Sequence, residues 1–282
     1  MHRRLLVVAA IGIAIATVTG RAASGAGGPD PGVRQGWDGI ASADFRYVTL
    51  MAGGWTTVAK IKRSGGRVVN YLNIKGNWGI PAVSYDGTTG GLTRDGSKLV
   101  LGQLRTTQGL LKQSSFTLID TKRLVKLRTV QIAGDHAFDA LSPDARYLYL
   151  VEHVSAQDLS RYRVRAYDFR ADKLLRKPVI DRREWEETMQ GTPMTRLVSR
   201  DGGWVYTLYS GGKHPFIHAL DTRHVQAVCI DLPKSWNRID LSGLRLRWTQ
   251  DGRIGVHYVS GGRALATVDT EKLRVLSFVR IP

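Results

Sequence analysis

The stretch Ser142-Pro143-Asp144-Ala145-Arg146-Tyr147-Leu148-Tyr149-Leu150 aligns without gaps with Ser42-Ala43-Asp44-Phe45-Arg46-Tyr47-Val48-Thr49-Leu50. Weaker copies begin at Thr93, Ser199 and Thr249. The copies share an aspartate at their third position, and successive aspartates are 51, 49, 57 and 50 residues apart: Asp44, Asp95, Asp144, Asp201 and Asp251. Self-similarity at a nearly constant period indicates a repeat architecture.

Each copy has the pattern of a tight turn that leads into a strand. Aspartate followed by glycine or alanine tolerates the backbone angles of a hairpin, and an alternating apolar run follows it. A second turn signal recurs in step with the first, at Asp120, Asp168, Asp221 and Asp269. A third signal is a glycine pair, at Gly53-Gly54, Gly211-Gly212 and Gly261-Gly262. Three turns per unit imply four strands per unit, and we expect the five repeated aspartates to be structural.

Four-stranded units repeated at this period predict an all-β fold, a β-propeller of five four-stranded blades. Six blades would result if the 57-residue unit or the N-terminal segment contained further strands. A two-sheet sandwich is the remaining alternative. We expect residues 275–281 to complete the fifth blade, and the ring to close against the first blade near residues 37–41.

Two segments resemble known propeller repeats. Phe116-Thr117-Leu118-Ile119-Asp120-Thr121 and Phe216-Ile217-His218-Ala219-Leu220-Asp221-Thr222 resemble the YVTN-type and WD40-like repeats of exported bacterial proteins. The turn Ser142-Pro143-Asp144 resembles that of TolB-like repeats, with Ala145 in place of glycine. The resemblance covers nearly all of the chain after its N-terminus and implies the fold. It says little about function, because such propellers include binding modules, partner platforms and enzymes.

The N-terminus differs in kind from the rest of the chain. A positive start at His2, Arg3 and Arg4 precedes an apolar run over residues 5–18 and small residues at 24–26. This pattern predicts a signal peptide at residues 1–26, because a run of 14 apolar residues is too short to span a bilayer. We expect a flexible segment at 27–36 and a single propeller domain at 37–282. The predicted location is secreted or extracytoplasmic, at a bacterial cell envelope, with no stable membrane span after cleavage.

The composition is that of a basic globular protein. Of 282 residues, 43% are hydrophobic, and the formal net charge is +17, or +14 without the three arginines of the signal peptide. Outside the cytoplasm such a charge favours an acidic surface polymer or another envelope protein as partner over nucleic acid. The basic residues are spread along the chain, so a generally arginine-rich composition is the alternative explanation. The single cysteine, Cys229, excludes an intramolecular disulfide.

Binding residues are expected in the loops on the face opposite the aspartate hairpins, at residues 76–86, 134–138, 181–196 and 234–245 and at the glycine pairs. Aromatic and charged side chains are typical of recognition surfaces. The binding candidates are Trp55, Trp78, Tyr85, His136, Trp185, Arg196, His214, Trp236 and Arg238. Paired carboxylates could act as acid and base on a glycan, which makes Asp86, Asp135 and Glu187 weak catalytic candidates.

No nucleophile elbow, zinc-binding helix, phosphate loop or dinucleotide fingerprint is present. We therefore predict a secreted, non-catalytic binding or protein-interaction propeller at the cell envelope, without a cofactor or a metal. The alternative is a lactonase-like or glycan-cleaving propeller hydrolase with its site in the central channel, where carboxylates would converge and could hold calcium. A platform for another protein is a third reading, and it requires an exposed aromatic patch on one face.

Overall fold

The computed structural model describes residues 32–106, 109–181, 183 and 188–280 of the chain. The predicted signal peptide, Trp185 and Glu187 lie outside these residues. The described residues form antiparallel β-sheets and two short 3-10 helices, Lys234–Arg238 and Leu241–Gly243. The first strand, β1 (Val33–Arg34), lies within the segment predicted to be flexible, and it pairs with the second sheet.

The strands belong to five sheets, each built almost entirely from consecutive strands. Sheet I contains β2 (Gly36–Ala41), β3 (Phe45–Ala52), β4 (Trp55–Lys62) and β5 (Val68–Lys75). Sheet II contains β1 followed by β6 (Trp78–Pro81), β7 (Lys98–Gln103), β8 (Gln113–Asp120) and β9 (Val125–Ala133). Sheet III contains β10 (His136–Leu141), β11 (Tyr147–His153), β12 (Arg161–Asp168) and β13 (Lys173–Leu174), with β14 (Met189–Gln190) also paired to β12.

Sheets IV and V complete the described chain. Sheet IV contains β15 (Thr192–Val198), β16 (Trp204–Ser210), β17 (Phe216–Asp221) and β18 (Gln226–Asp231). Sheet V contains β19 (Leu244–Trp248), β20 (Ile254–Tyr258), β21 (Ala266–Asp269) and β22 (Arg274–Phe278). The all-β class is confirmed, and the series of four-stranded antiparallel sheets supports the predicted β-propeller.

Four of the five repeated aspartates cap the hairpins that lead into β7, β11, β16 and β20. In four of the five turns, a serine or threonine hydroxyl donates to the aspartate two residues later: Thr93 to Asp95, Ser142 to Asp144, Ser199 to Asp201 and Thr249 to Asp251. In the first turn the Ser42 hydroxyl donates instead to the Phe45 carbonyl, at 3.2 Å. Local bonds of this kind satisfy backbone groups that a tight turn leaves without strand partners.

The second set of aspartates builds the turn between the third and fourth strands. Asp120, Asp168, Asp221 and Asp269 accept backbone N–H groups from two or three residues later. The threonine after three of them donates its hydroxyl to a glycine carbonyl in the first hairpin: Thr121 to Gly96, Thr222 to Gly202 and Thr270 to Gly252. This contact joins the two turns, which explains why their sequence signals recur in step.

The core is divided into apolar clusters that join consecutive sheets. One cluster joins sheets I and II around Tyr47 and Ile80, and the next joins II and III around Phe116 and Leu148. A third joins III and IV around Tyr162 and Tyr209, and the largest joins IV and V. Because one sheet cannot bury both faces, each sheet depends on its neighbours for burial.

No apolar cluster of the described residues joins sheet V to sheet I. The second face of sheet I has only a small cluster of its own, Val48, Ala59 and Ile61. Trp37, near which the ring was expected to close, is exposed. Within the described residues, sheets V and I therefore share no apolar core of the kind that joins each of the other four pairs of consecutive sheets.

Candidate functional site

A long loop after β6 of sheet II reaches towards sheets IV and V. β6 ends at Pro81, and the chain returns to β7 only at Leu92, which forms a bridge with Leu99. The intervening residues 82–91, here called the axial loop, contact sheet IV through hydrogen bonds from the amides of Tyr85 and Asp86 to the carbonyls of Pro193 and Met194. The loop therefore connects β6 of sheet II with β15 of sheet IV.

Asp86 holds the axial loop together. Its carboxylate accepts hydrogen bonds from the Ser84 hydroxyl at 2.8 Å and from the Thr88 hydroxyl at 2.7 Å, and it lies 3.4 Å from Arg245 of sheet V. Burial by itself raises the pKa of Asp86, but the hydrogen bonds from Thr88, Ser84 and Thr195 outweigh it and leave the pKa lowered. The group is an ionised structural cap, whereas a general acid needs a raised pKa.

A cavity of about 600 Å³ lies between the axial loop and the aspartate hairpins. Its wall combines residues of sheets I to IV with the loop, and the hairpin residues Ser42, Thr93, Pro143 and Gly202 form its rim. The cavity therefore lies next to the hairpins, whereas the sequence predicted binding in the loops of the other face. The cavity has this position because the axial loop forms part of its wall. The repeat pattern did not predict the length or the path of that loop.

The charged groups of this axial cavity are three arginines and one aspartate: Arg63, Arg94, Arg196 and Asp139. Arg94 donates from Nε to the Arg200 carbonyl at 2.9 Å, and its other guanidinium nitrogens bond to no described residue. Arg63 donates from one nitrogen to the carbonyls of Ser42 and Ala43. With one carboxylate against three guanidinium groups, the cavity carries a net positive charge.

Arg196 and Asp139 form a buried ion pair in the cavity wall, between sheets III and IV. Arg196 also donates to the Asp139 backbone carbonyl. Asp139 Oδ2 and Arg196 Nε are buried without a hydrogen-bond partner. A buried donor and a buried acceptor without partners are costly, so both atoms keep an unused hydrogen-bonding capacity.

Aromatic and imidazole groups surround this ion pair on the side away from the cavity. Tyr162 and Tyr209 are stacked with ring centroids 5.5 Å apart, and His218 lies edge-on to Tyr209. Complete burial lowers the pKa of His218 to about 4, so the imidazole is neutral at pH 7. The neutral imidazole therefore adds no charge next to the Asp139–Arg196 pair.

Asp135, the second weak catalytic candidate, belongs to a separate buried cluster at the start of β10. It pairs with Arg105, and the His153 ring lies 3.4 Å away. Burial raises the pKa of Asp135, but hydrogen bonds and positive charge from His153 and Arg105 outweigh this effect and lower the pKa. The neighbouring His136 is buried, and burial lowers its pKa. None of these groups lines the axial cavity.

A second pocket, of about 930 Å³, lies between sheets III and IV at the opposite end of the strands. It contains His214, one of the predicted binding residues, next to Asp231 at 3.7 Å. Arg183 forms one wall, held by Asp181 and the Cys229 carbonyl. Positive and negative groups alternate around this side pocket, so its charge does not select one class of ligand.

The remaining binding candidates are scattered over the molecule. Trp55 and Tyr85 are exposed, and Arg238 is exposed in the first 3-10 helix. Trp78 and Trp236 are instead buried in the apolar clusters, because both rings pack between neighbouring sheets. Of the eight candidates that the structure describes, only Arg196 lines the axial cavity. Trp185 and the catalytic candidate Glu187 lie outside the described residues.

Sequence reasoning missed Asp139, Arg63 and Arg94. Asp139 did leave a signal, because it is the one charged residue in the apolar run Phe138-Asp139-Ala140-Leu141. A charge in the middle of a buried strand requires a partner. Arg94 occupies a variable position of the hairpin repeat, so the pattern gave no reason to select it.

Two searches within the described residues bear on the alternatives. No group of three or more His, Cys, Asp or Glu side chains there is arranged to hold a metal ion. No helix in that part of the chain has the length and apolar character needed to cross a membrane.

No protein-family model and no curated protein matches the chain. Among solved structures, a protein of unknown function from Desulfotomaculum acetoxidans aligns with 86% of this chain and 67% of its own, at 12% identity and a TM-score of 0.47. TolB from Acinetobacter baumannii aligns with 82% of this chain and 56% of its own, at 14% identity and a TM-score of 0.37. A candidate 6-phosphogluconolactonase from Bacteroides fragilis aligns with 84% and 67%, at 14% identity and a TM-score of 0.44. These scores are too low to support an argument about this chain.

Proposed function

We propose that the protein is a non-catalytic binding module of the cell envelope, and that its axial cavity receives an acidic group of the ligand. The observation that carries this proposal is the pairing of carboxylates with arginines. Asp86, Asp135 and Asp139 each have an arginine partner, while the arginines of the cavity outnumber its one carboxylate. A positively charged cavity favours an anion that can accept charge-assisted hydrogen bonds.

In this proposal the five sheets are the five blades of the propeller, and the axial loop closes the channel at one end. An acidic group would enter between the hairpins, where Arg94 and Arg63 reach it first. Asp139 Oδ2 and Arg196 Nε lie deeper and would bond a hydroxyl or amide next to that group. An acidic glycan or an acidic peptide of an envelope protein has both kinds of group.

The hydrolase alternative requires a carboxyl group that stays protonated near neutral pH and a carboxylate facing it. The pKa values of Asp86 and Asp135 are both lowered, and these residues lie in separate parts of the molecule. Export to the envelope rests on the N-terminal sequence pattern, and the acidic partner on the basic charge.

Calorimetric titration with trigalacturonate and with hexaglutamate tests the proposal. We expect saturable binding of at least one of them that weakens between about 50 and 500 mM salt, because the contact is electrostatic. Arg94→Gln should weaken binding about tenfold, the value of one charge-assisted hydrogen bond. Arg274→Gln, an exposed arginine of β22 away from the cavity, is the matched control and should bind as the wild type does.

Equal affinity of the two variants, or no binding of either probe, would contradict the proposal. The hydrolase would replace the binding module as the proposed function if the purified protein turned over a lactone or a glycan and Asp139→Asn abolished that activity.

A further inference from the structure

The outer edge of sheet I differs from the rest of this basic protein. Strand β5 contains no charged residue, proline or glycine from Val68 to Ile74, and most of its side chains are exposed. Uncharged, β-prone edge strands are the ones that pair with another chain.

The outer edges of the other sheets are protected. β9 carries Lys126 and Arg128, and β13 has only two residues. The edge of β18 is covered by Asp181, which forms a bridge with Ala227 and accepts the Cys229 amide on its carboxylate. β22 begins with Arg274. Among the described outer strands, β5 is the one that is long and largely exposed and carries its single charge, Lys75, only at its last residue.

The backbone of β5 shows which of its groups face away from β4. The Tyr71 amide donates to Oδ1 of Asn70, at 2.8 Å, a side chain of its own strand. An amide has a single donor direction, so this group points away from β4, and a further strand that paired with it would displace the Asn70 side chain. The bulge between Lys60 and Ile61 disturbs the pairing near Val68, and from Asn70 to Lys75 the register with β4 is regular.

The face of sheet I that turns away from sheet II continues this surface. Strand pairing places Leu50, Trp55, Val68 and Tyr71 on that face, with exposed fractions of 52%, 51%, 51% and 64%. The buried cluster of Val48, Ala59 and Ile61 lies between them. Sheet V presents polar residues on its corresponding face, including Arg247 and His257, and so offers no apolar cover.

We propose that this surface, the β5 edge together with Leu50, Trp55 and Tyr71, is the contact between two copies of the protein. The two β5 strands would pair antiparallel about a two-fold axis at Leu72, so that sheet I of each copy continues into the other. In antiparallel pairing about a two-fold axis, only the residue on the axis, Leu72, faces its own copy. Residues before it face residues the same number of positions after it in the second copy. In this register Tyr71 lies opposite Asn73 of the second copy, and Arg67 does not face Lys75.

A second copy fits this edge better than an acidic partner does. An acidic segment would require basic side chains along the strand, and between Val68 and Ile74 there are none. A copy of β5 supplies an equally uncharged strand. This inference is independent of the proposed function, because the edge and the axial cavity share no residue.

Sedimentation velocity of the purified protein from about 1 to 100 µM tests the inference, a range that covers the affinities of ordinary dimers. We expect a dimer in the wild type and a monomer after the combined change Tyr71→Lys and Asn73→Lys, because four lysines would meet at the two-fold axis. Both side chains are exposed, so the variant should fold, and its circular dichroism spectrum and melting temperature check this. Leu127→Lys on the already charged strand β9 is the matched control and should remain a dimer.

A wild-type monomer throughout this range overturns the inference, and so does a dimer that survives the double change. A monomer that gains mass only when a different protein is added also overturns it, since the surface would then serve another partner.

Discussion

Ala145 has the backbone conformation that its repeat usually gives to glycine. Its φ is 55°, and the equivalent hairpin positions are Gly96, Gly202 and Gly252, with φ of 70°, 73° and 80°. A side chain in this left-handed region costs about 1 kcal/mol, because Cβ approaches the following carbonyl. The hydrogen bonds of Asp144 to Ser142 and Arg146 compensate for this cost.

Ala145→Gly should raise the free energy of unfolding by about 0.5 kcal/mol, since relief of the strained φ exceeds the extra entropy of glycine in the unfolded chain. Urea denaturation measures the change. Ala133→Gly, at an exposed strand position without a positive φ, is the control and should lower stability by about 0.5–1 kcal/mol. Loss of stability in both variants would show that Ala145 is not strained.

The axial loop is the element that departs most from the repeat. Turn signals and apolar alternation predicted the hairpins and most strands, because those features depend on neighbours in sequence. The same signals placed residues 76–86 on a binding face, whereas in the structure the amides of residues 85 and 86 bond to sheet IV. The docking depends on carbonyl groups of Pro193 and Met194, more than one hundred residues away, and no local pattern records such a partner.

Asp86→Ala should lower the free energy of unfolding by about 1–3 kcal/mol, because Ser84 and Thr88 lose their acceptor in a buried site. Hydrogen exchange at the amides of residues 85 and 86 should become faster, since the loop is less firmly held on sheet IV. Asp44→Ala is the control: its turn uses the Ser42 hydroxyl instead, so we expect a change within about 0.5 kcal/mol. Equal losses in the two variants would contradict the structural role of Asp86.

At the scale of the whole molecule, burial is uneven along the series of sheets. Sheets II, III and IV each contribute to two of the apolar clusters that join neighbouring sheets, whereas sheets I and V contribute to one. In repeat proteins the stability of a unit depends mainly on its interfaces with its neighbours. The terminal sheets should therefore open more readily than the central ones.

Native-state hydrogen exchange should show this order. We expect the amides of β20 and β21 in sheet V to exchange through local opening at lower free energy than those of β11 and β12 in sheet III. The comparison is made at low denaturant, where local and global opening differ. Equal protection of the amides of both sheets against exchange would contradict this order. It would mean that sheet V is stabilised by a contact outside the apolar clusters.

The sequence by itself determined the all-β class, the repeated hairpins and the structural use of four of their five aspartates. These properties follow from backbone preferences and from bonds between residues a few positions apart. The tertiary structure alone decided that the axial loop fills the centre, that Asp86, Asp135 and Asp139 each meet an arginine, and that Trp78 and Trp236 are buried. It also decided which edge of the molecule was left uncovered. Such pairings join residues from different sheets, and their distances are set by the packing of whole sheets, which a repeat pattern does not encode.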